Sequence, residues 1–172
     1  MKGTKDEISL AAFKLFLENG YRSTTYAELI KTAGLSKGAF YHYFKSKEEL
    51  FIEVIDRYFA AVFERVHWSE VEKVEPSARE AMMRDYYLGF VRRISSLSDK
   101  GLSRYFILFF EAMEIYPEFR QKARSFYRRL RTSFETAGSG DGQGALDRIA
   151  VYEGYLFWMA VFPEDPPEEL FK

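Results

Sequence analysis

Cysteine is absent from this sequence of 172 residues, and histidine occurs only as His42 and His67. Without cysteine the chain can form neither a disulfide nor a thiolate metal site, and it has no cysteine nucleophile. With only two histidines, the sequence favours neither a His-rich metal site nor a Ser-His-Asp triad. The sequence also lacks a Gly-rich phosphate loop and any regular spacing of metal ligands. We therefore expect no metal, no cofactor and no enzymatic activity.

Long apolar segments are missing too. The longest apolar run, from Gly154 to Phe162, is far shorter than the ~20 residues that span a bilayer. The N-terminus has no apolar core of the kind that signal peptides carry. We therefore expect a soluble, cytoplasmic protein that has no membrane partner.

Aromatic residues, in contrast, are abundant. They make up 18% of the chain, with 17 Phe and 12 Tyr, which is more ring volume than core packing usually requires and suggests a pocket or a large interface. The net charge is −1, but residues 1–50 carry 8 basic and 6 acidic side chains, while the remainder carries 17 and 20. The positive balance of the N-terminal part is the sign expected if that part meets DNA.

The hydrophobic periodicity is helical almost throughout, which predicts an all-α fold. Thr25 and Glu28 form the pattern of a capping box at the start of a short helix. Gly34 ends that helix after about two turns. Ser36 is placed to cap a third helix, which runs to Tyr43.

A second capping-box pattern, Ser46-Lys47-Glu48-Glu49, predicts the start of a long helix that runs toward His67. Further on, the periodicity predicts helices at about 77–97, 102–115, 117–137 and 144–162, the last two separated by the glycine-rich stretch from Gly138 to Gly142. We therefore predict two domains, a three-helix head over residues 1–47 and an all-helical body over residues 48–172.

The segment from Thr25 to Tyr43 has the physical pattern of a helix-turn-helix. Gly34-Leu35 is too tight a connection for an antiparallel hairpin and suits a crossing near ~90–120°. Phe40 and Phe44 are predicted to be buried. The outward side of the second helix then carries donors and rings suited to a major groove. These outward residues are Lys37, Gly38, Tyr41 and His42.

This pattern resembles the TetR family of repressors. The resemblance rests on Gly20-Tyr21, Thr24-Thr25 and the run from Ala33 to Phe51, AGLSKGAFYHYFKSKEELF, and it covers about residues 4–60. It implies that the second helix of the motif enters the major groove while flanking residues hold phosphates. Carried over by position, the DNA-binding residues are Thr25, Tyr26, Ser36, Lys37, Gly38, Tyr41, His42, Tyr43 and Lys47. Tyr26 departs from the family, which often has a smaller hydroxyl residue or a longer basic one there.

Two helices of the body carry clustered rings. Aromatic residues at helical spacing usually belong to the hydrophobic core, and this interpretation stays open for each of them. The resemblance implies a ligand cavity among these helices, walled by such side chains. The predicted effector-binding residues are Tyr86, Tyr87, Phe90, Tyr105, Phe106 and Phe109. The effector would then be a small, largely apolar or aromatic compound.

The last long helix is apolar on more than one side, so it must be covered from several directions. In the TetR family the last two long helices pair with their symmetry mates in a four-helix bundle, and the resemblance implies a homodimer built in this way. The predicted interface residues are Ile149, Tyr152, Glu153, Leu156, Phe157 and Ala160. The alternative is a core helix within one chain.

Together these inferences predict a TetR-like transcriptional regulator. Such regulators are most commonly repressors, so we expect a repressor. It would bind double-stranded operator DNA as a homodimer and be released by its effector. The alternative is a DNA-binding regulator without a small-molecule effector, controlled by a protein partner or by its abundance. An enzyme that includes a helix-turn-helix is disfavoured, because the sequence offers no catalytic motif.

Overall fold

Helices form the regular structure of this computed structural model, which describes residues 5–97, 100–135, 142–165 and 169. No β-strand occurs in those ranges, and the predicted all-α fold is confirmed. The helices are α1 Lys5–Asn19, α2 Tyr26–Thr32, α3 Lys37–Tyr43, α4 Lys47–Ile55, α5 Ala61–Glu64, α6 Trp68–Val71, α7 Pro76–Ser95, α8 Gly101–Ile115, α9 Pro117–Glu135 and α10 Gly142–Val161.

Local hydrogen bonds define the short helices near the N-terminus. The predicted capping box of α2 is present: the Glu28 amide donates to Thr25 Oγ1 over 3.2 Å, and the Thr25 amide donates to Glu28 Oε2 over 2.7 Å. Ser36 Oγ caps α3 by accepting from the Ala39 amide at 3.2 Å. Between the two helices Gly34 has a φ of 65°, a left-handed conformation that glycine adopts at no steric cost. The turn between α2 and α3 is therefore encoded locally.

The second predicted capping box forms only in part. Ser46 Oγ accepts from the Glu49 amide at 3.0 Å, as predicted. The Glu49 carboxylate, however, accepts from the Lys45 amide at 2.6 Å instead of the Ser46 amide. The reciprocal bond thus reaches one residue beyond the N-cap, and α4 still begins where the pattern predicts.

The long helix predicted after Ser46 is interrupted. A π-helical turn, Asp56–Ala60, separates α4 from α5. The amide of Ala61 donates to the carbonyl of Asp56, five residues back, so this turn contains one residue more than an α-helical turn. Phe59, within the turn, is fully buried. The periodicity of the sequence continued across the turn and did not reveal it.

The described chain divides into two compact units. The N-terminal unit consists of the described residues up to Val62 together with Arg104–Arg120. The C-terminal unit consists of Phe63–Ser103 and the described residues from Gln121 onward. The predicted domain boundary between residues 47 and 48 falls inside the N-terminal unit, where α4 packs on α1. That boundary stays a prediction.

The N-terminal unit has an aromatic core. Phe13, Phe16 and Phe51 are fully buried, and the ring centroids of Phe16 and Phe51 lie 5.6 Å apart in an edge-on contact. Phe40 and Phe44 are also buried, which confirms the prediction made for both. Burial of these two rings fixes which side of α3 faces inward.

The C-terminal unit is built around the contact of α7 with α10. Tyr87 of α7 stacks on Tyr152 of α10 with ring centroids 4.9 Å apart. The four long helices α7 to α10 begin and end within two residues of their predicted bounds. The predicted break from Gly138 to Gly142 lies almost entirely outside the described residues. In the described ranges no helix is both long and apolar enough to cross a membrane.

Candidate DNA-binding surface

Helix α3 has one buried side and one exposed side. Phe40 is fully buried against the core. The exposed residues of the helix are Lys37, Gly38, Tyr41 and His42. Tyr41 keeps 38% of its surface exposed, and Lys37 Nζ lies 5.9 Å from its ring centroid. The exposed side therefore combines an ammonium, a phenol and an imidazole, groups that can bind base edges and phosphates.

Gly38 leaves open space on that side of α3. A Cβ added at this position would meet no atom within 4 Å. The fold itself does not require glycine there, and glycine inside a helix costs about 0.5–1 kcal/mol relative to alanine. The missing side chain leaves room for a partner to approach the helix backbone.

Tyr26 joins the start of α2 to the end of α3. Its hydroxyl donates to the Phe44 carbonyl over 2.8 Å, and its ring stacks on Tyr41 with centroids 5.1 Å apart. Partial burial, together with the neighbouring Tyr41 and Glu49, raises the pKa of Tyr26 above its usual value. A phosphate needs a donor, and the donor of Tyr26 is already used. The predicted phosphate contact would require breaking this bond, so we interpret Tyr26 as a residue that positions Tyr41.

Lys47 lies half-buried at the start of α4. Its Nζ donates to the carbonyls of Tyr21 and Thr24, at 2.9 Å in each case, and lies 4.4 Å from the Tyr21 ring centroid. An ammonium has three N–H donors, so one remains for a phosphate oxygen. Lys47 fastens the loop between α1 and α2, and its predicted contact with the DNA backbone stays a prediction.

The remaining predicted contacts lie at the ends of the helices. Thr25 Oγ1 accepts from the Glu28 amide and donates to the Glu28 carboxylate at 2.7 Å, so its one O–H donor is already used in the cap. Ser36 Oγ accepts from an amide of α3, which leaves its O–H for a phosphate. Tyr43 is half-buried, and its ring meets His42 edge-on at 5.5 Å.

Two acidic residues of α8 hold the loop between α1 and α2, a feature that sequence reasoning missed. Glu111 Oε2 accepts from the Tyr21 amide at 3.1 Å. Glu114 Oε2 accepts from the Arg22 guanidinium at 2.8 Å. The paired residues are 90 and 92 positions apart in the chain, so no local pattern could have indicated these bonds.

Comparison with known proteins bears directly on this motif. The family of bacterial regulatory proteins called the tetR family matches residues 8–54, which contain α2, the turn and α3. Residues 8–54 are a TetR family helix-turn-helix segment. It is 37% identical over 84 residues to the HTH-type transcriptional regulator QacR of Staphylococcus aureus, a match that spans 49% of this chain and 42% of QacR. It is 36% identical over 63 residues to the HTH-type transcriptional repressor NemR of Escherichia coli, spanning 37% of this chain and 32% of NemR. Each match thus covers less than half of the relative.

Solved structures resemble the chain over nearly its whole length. The TetR family regulator PfmR from Thermus thermophilus is 25% identical, with a TM-score of 0.64 over 95% of this chain and 92% of PfmR. AibR, solved in complex with isovaleryl coenzyme A and operator DNA, is 20% identical, with a TM-score of 0.72 over 97% of this chain and 93% of AibR. The TetR family fold therefore extends beyond the helix-turn-helix to the helical body.

The six residues predicted to bind an effector are divided between the two units. Those in the C-terminal unit, on α7, are Tyr86, Tyr87 and Phe90. Those in the N-terminal unit, on α8, are Tyr105, Phe106 and Phe109. Tyr105 stacks on Phe59 with ring centroids 4.5 Å apart. The effector pocket stays a prediction.

Glu153, which is predicted to lie in the dimer interface, contacts α7 and α9 of its own chain. Its Oε1 accepts from the Tyr87 hydroxyl at 2.7 Å and from the Tyr127 hydroxyl at 3.1 Å. Burial raises the pKa of the Glu153 carboxyl, and the two hydrogen bonds oppose that shift. Burial and the nearby Glu153 also raise the pKa of Tyr87 well above its usual value. Glu153 is therefore a polar link inside the C-terminal unit.

Helix α10 has two apolar sides, and one of them is the core. Tyr152 and Leu156 are only 7% and 5% exposed. Both are packed within the chain, and their predicted place in a dimer interface stays a prediction. Ile149 and Ala160 are half-buried, whereas Phe157 is 65% exposed. The apolar residues that remain exposed, called the outer face of α10 below, are Leu146, Ala150, Val151, Phe157, Trp158, Val161 and Phe162.

Proposed function

We propose that this TetR family chain is a homodimeric transcriptional repressor. It binds double-stranded operator DNA through α3 and is released by a small, largely apolar or aromatic effector. The observation that carries the proposal is the exposed side of α3, which presents Lys37, Tyr41 and His42 around the open space at Gly38.

The chemistry of that side supports DNA binding. Lys37 supplies a positive charge, and neutralising a phosphate releases counterions from the duplex. Tyr41 and His42 carry donors that can reach base edges in the major groove, where each base pair has its own pattern. Tyr26 holds the Tyr41 ring from behind, so part of the recognition surface is ordered before DNA arrives.

The outer face of α10 supports the homodimer. A contiguous apolar surface on a monomer usually marks an interface, and a two-fold axis places the same face of a second copy against it. Gly154 is exposed on α10, and a Cβ added there would meet nothing within 4 Å, so a partner helix can approach closely. Two copies of α3 would then occupy successive major grooves, ~34–36 Å apart.

The effector is supported by the ring clusters that α7 carries in one unit and α8 in the other, and by a protein of similar fold. AibR binds isovaleryl coenzyme A, a small acyl group on a larger carrier. A compound that prefers the DNA-free state of the dimer lowers operator affinity by its differential affinity for the two states, typically ~1–3 kcal/mol.

The DNA-binding proposal is tested by selecting sites from a random DNA pool with the full chain and titrating the enriched duplex. Lys37→Ala and Tyr41→Ala should each weaken binding about tenfold, since a specific contact contributes about 1–3 kcal/mol. Lys37→Ala should also lower the slope of log affinity against log salt by about one. Lys73→Ala, which removes an equal charge in the C-terminal unit, is the matched control. Wild-type affinity of both α3 variants would contradict the proposal.

The effector is tested by a thermal-shift screen of acyl-coenzyme A esters, lipophilic metabolites and aromatic dyes. A ligand of the folded chain raises the melting temperature through mass action, and it should weaken operator binding in a second assay. Tyr105→Trp should blunt the response and leave DNA binding intact. Compounds that stabilise the protein without altering operator affinity would contradict an effector role.

The packing of the same rings favours a second candidate, a DNA-binding regulator without a small-molecule effector that is controlled by a protein partner or by its abundance. Tyr87, Phe90 and Tyr105 are between 5% and 9% exposed, so their surfaces are largely occupied by other side chains. In this case no compound in the screen would shift the melting temperature. Promoter occupancy would then follow the concentration of the protein alone.

A further inference from the structure

The C-terminal unit contains a solvent-open groove of about 440 Å³. Its volume lies within the range of about 300–1,000 Å³ that small-molecule sites occupy. None of the aromatic residues predicted to bind the effector lines it. The described lining consists of Glu72, Ser125, Arg128, Arg129, Thr132 and Ser133.

One side of α9 supplies most of this lining. Ser125, Arg128, Arg129 and Thr132 follow the spacing that brings side chains to the same side of a helix. In the part of the chain that the structure describes, neither the Arg128 guanidinium nor the Ser125 hydroxyl has a hydrogen-bond partner. A guanidinium has five N–H donors in a planar fork that matches the oxygens of a carboxylate or a phosphate. Both unpartnered groups border the same groove.

The charges of the groove favour an anion. Helix α9 carries six arginine and lysine side chains and two glutamates, in a chain whose net charge is only −1. Glu72 is the single carboxylate of the described lining, and Arg129 pairs with it at 3.4 Å. Arg128 therefore remains as the uncompensated positive charge of the lining.

The walls of the groove are held together by a buried arginine. Arg79 is 9% exposed, and its guanidinium donates to the carbonyl of Glu72 at 2.9 Å and to that of Ser133 at 3.1 Å. One of these residues follows α6 and the other belongs to α9. Arg129 also lies 5.6 Å above the Trp68 ring of α6. These contacts hold the lining in place before a ligand binds, which lowers the entropic cost of binding.

We propose that this groove binds a small metabolite through its oxyanion, a phosphate or a carboxylate group, with Arg128 as the charged contact and Ser125 as a neutral donor. The oxyanion would accept from the Arg128 fork and from the Ser125 hydroxyl. Arg129 and Glu72 would remain paired at the edge. The site does not depend on DNA binding, and it differs in chemistry from the apolar effector site proposed above.

Calorimetric titrations of the full chain with inorganic phosphate, pyrophosphate and citrate test the proposal at constant ionic strength. At least one of these anions should bind saturably. Arg128→Gln should weaken that binding at least tenfold, and Ser125→Ala should weaken it about threefold. Arg124→Gln is the matched control, because Arg124 is an exposed arginine on α9 outside the groove lining. The anion affinity of the Arg124→Gln variant should stay within twofold of that of the wild type.

The three titrants separate the sources of the oxyanion. Tighter binding of phosphate or pyrophosphate than of citrate indicates a phosphorylated ligand, and the reverse order indicates a carboxylate ligand. Equal losses in the Arg124 and Arg128 variants would mean diffuse attraction to α9 and would overturn the site. Absence of saturable binding by all three anions, in a wild-type chain with a normal melting transition, would overturn it as well.

Discussion

Helices α3 and α10 both present a surface to solvent, and the two surfaces have opposite chemistry. The exposed side of α3 carries Lys37, Tyr41 and His42, and the ring of Tyr41 is supported by Tyr26. The outer face of α10 is apolar, with Phe157 65% exposed. A polar surface of the first kind suits a wet, salt-dependent contact with phosphates and base edges. An apolar surface of the second kind gains stability when water is removed from it.

Exposure of a surface does not by itself identify the partner, whereas exposure combined with the chemistry of the surface does. DNA binding through α3 should weaken steeply as salt rises, because each phosphate contact releases counterions. Association through α10 should be almost insensitive to salt, because screening acts on charges. Substitutions in α10 and at Lys47, behind α3, test this contrast.

The largest effect is expected at two adjacent residues of α10. Leu156→Glu buries an unpaired charge in the core, which costs roughly 3–5 kcal/mol, and the chain should unfold or aggregate. Phe157→Glu places the same charge on the outer face and should leave the monomer folded while breaking the dimer. Circular dichroism and sedimentation velocity measure the two outcomes, with Phe157→Leu as the conservative control. A folded Phe157→Glu variant that still sediments as the wild-type dimer would move the interface away from this face.

An intermediate effect is expected at Lys47, behind α3. Lys47→Ala removes two hydrogen bonds from an ammonium to the carbonyls of Tyr21 and Thr24. Hydrogen bonds of charged groups contribute about 1.5–3 kcal/mol each when buried, and half-exposure reduces the combined loss to about 1–2 kcal/mol. The melting temperature and the operator affinity should both fall.

Lys45→Ala serves as the control for Lys47, since Lys45 is an exposed lysine with a single bond from its Nζ to the Tyr41 carbonyl. The melting temperature of the Lys45→Ala variant should fall by less than that of the Lys47→Ala variant. A Lys47→Ala variant with weakened DNA binding and an unchanged melting temperature would mean that Lys47 acts only on phosphate.

The smallest effect is expected at Glu153, on the inner edge of α10. Burial raises the pKa of its carboxyl above the ordinary value of 4.5, so the folded chain holds this proton more tightly than the unfolded chain does. Stability is therefore lost as the pH rises from about that value through the folded pKa. Glu153→Gln keeps an acceptor for Tyr87 and Tyr127 and cannot ionise. Its melting temperature at pH 7.5 should exceed that of the wild type by roughly 2–4 °C, the shift that about 1 kcal/mol gives at this chain length.

The difference in melting temperature between the Glu153→Gln variant and the wild type should shrink toward pH 4.5. Thermal unfolding of both proteins over a series of pH values measures it. The dimer dissociation constant should be the same for both, because Glu153 bonds within its own chain. A changed dissociation constant would return Glu153 to the interface and weaken the contrast between the two sides of α10.

Much of the N-terminal motif could be predicted because its signals are local. The caps of Thr25 and Ser36 join atoms three residues apart, and the left-handed φ of Gly34 belongs to a single residue. The inward position of Phe40 followed from helical spacing, and the exposed side of α3 followed from that. The match to the TetR family covers this same segment.

The π-helical turn at Asp56–Ala60 shows where local reasoning ends. The residues before and after the turn have ordinary helical periodicity, so the sequence predicted one long helix. The ring of Phe59 stacks on Tyr105, which lies far along the chain on α8. The periodicity around Phe59 could not indicate a packing partner so far along the chain.

Local patterns in the chain were sufficient to predict the all-α fold, the helix-turn-helix with its caps and turn, and the bounds of α7 to α10 to within two residues. Packing between distant helices determines which apolar side of α10 is the core, and it brings Glu153 into contact with Tyr87 and Tyr127. It also lets Lys47 fasten a loop. The physical reason is range: a cap or a turn is settled by atoms three or four residues apart, whereas these contacts join residues 23 to 66 positions apart. Only the packing of the whole chain brings such residues together.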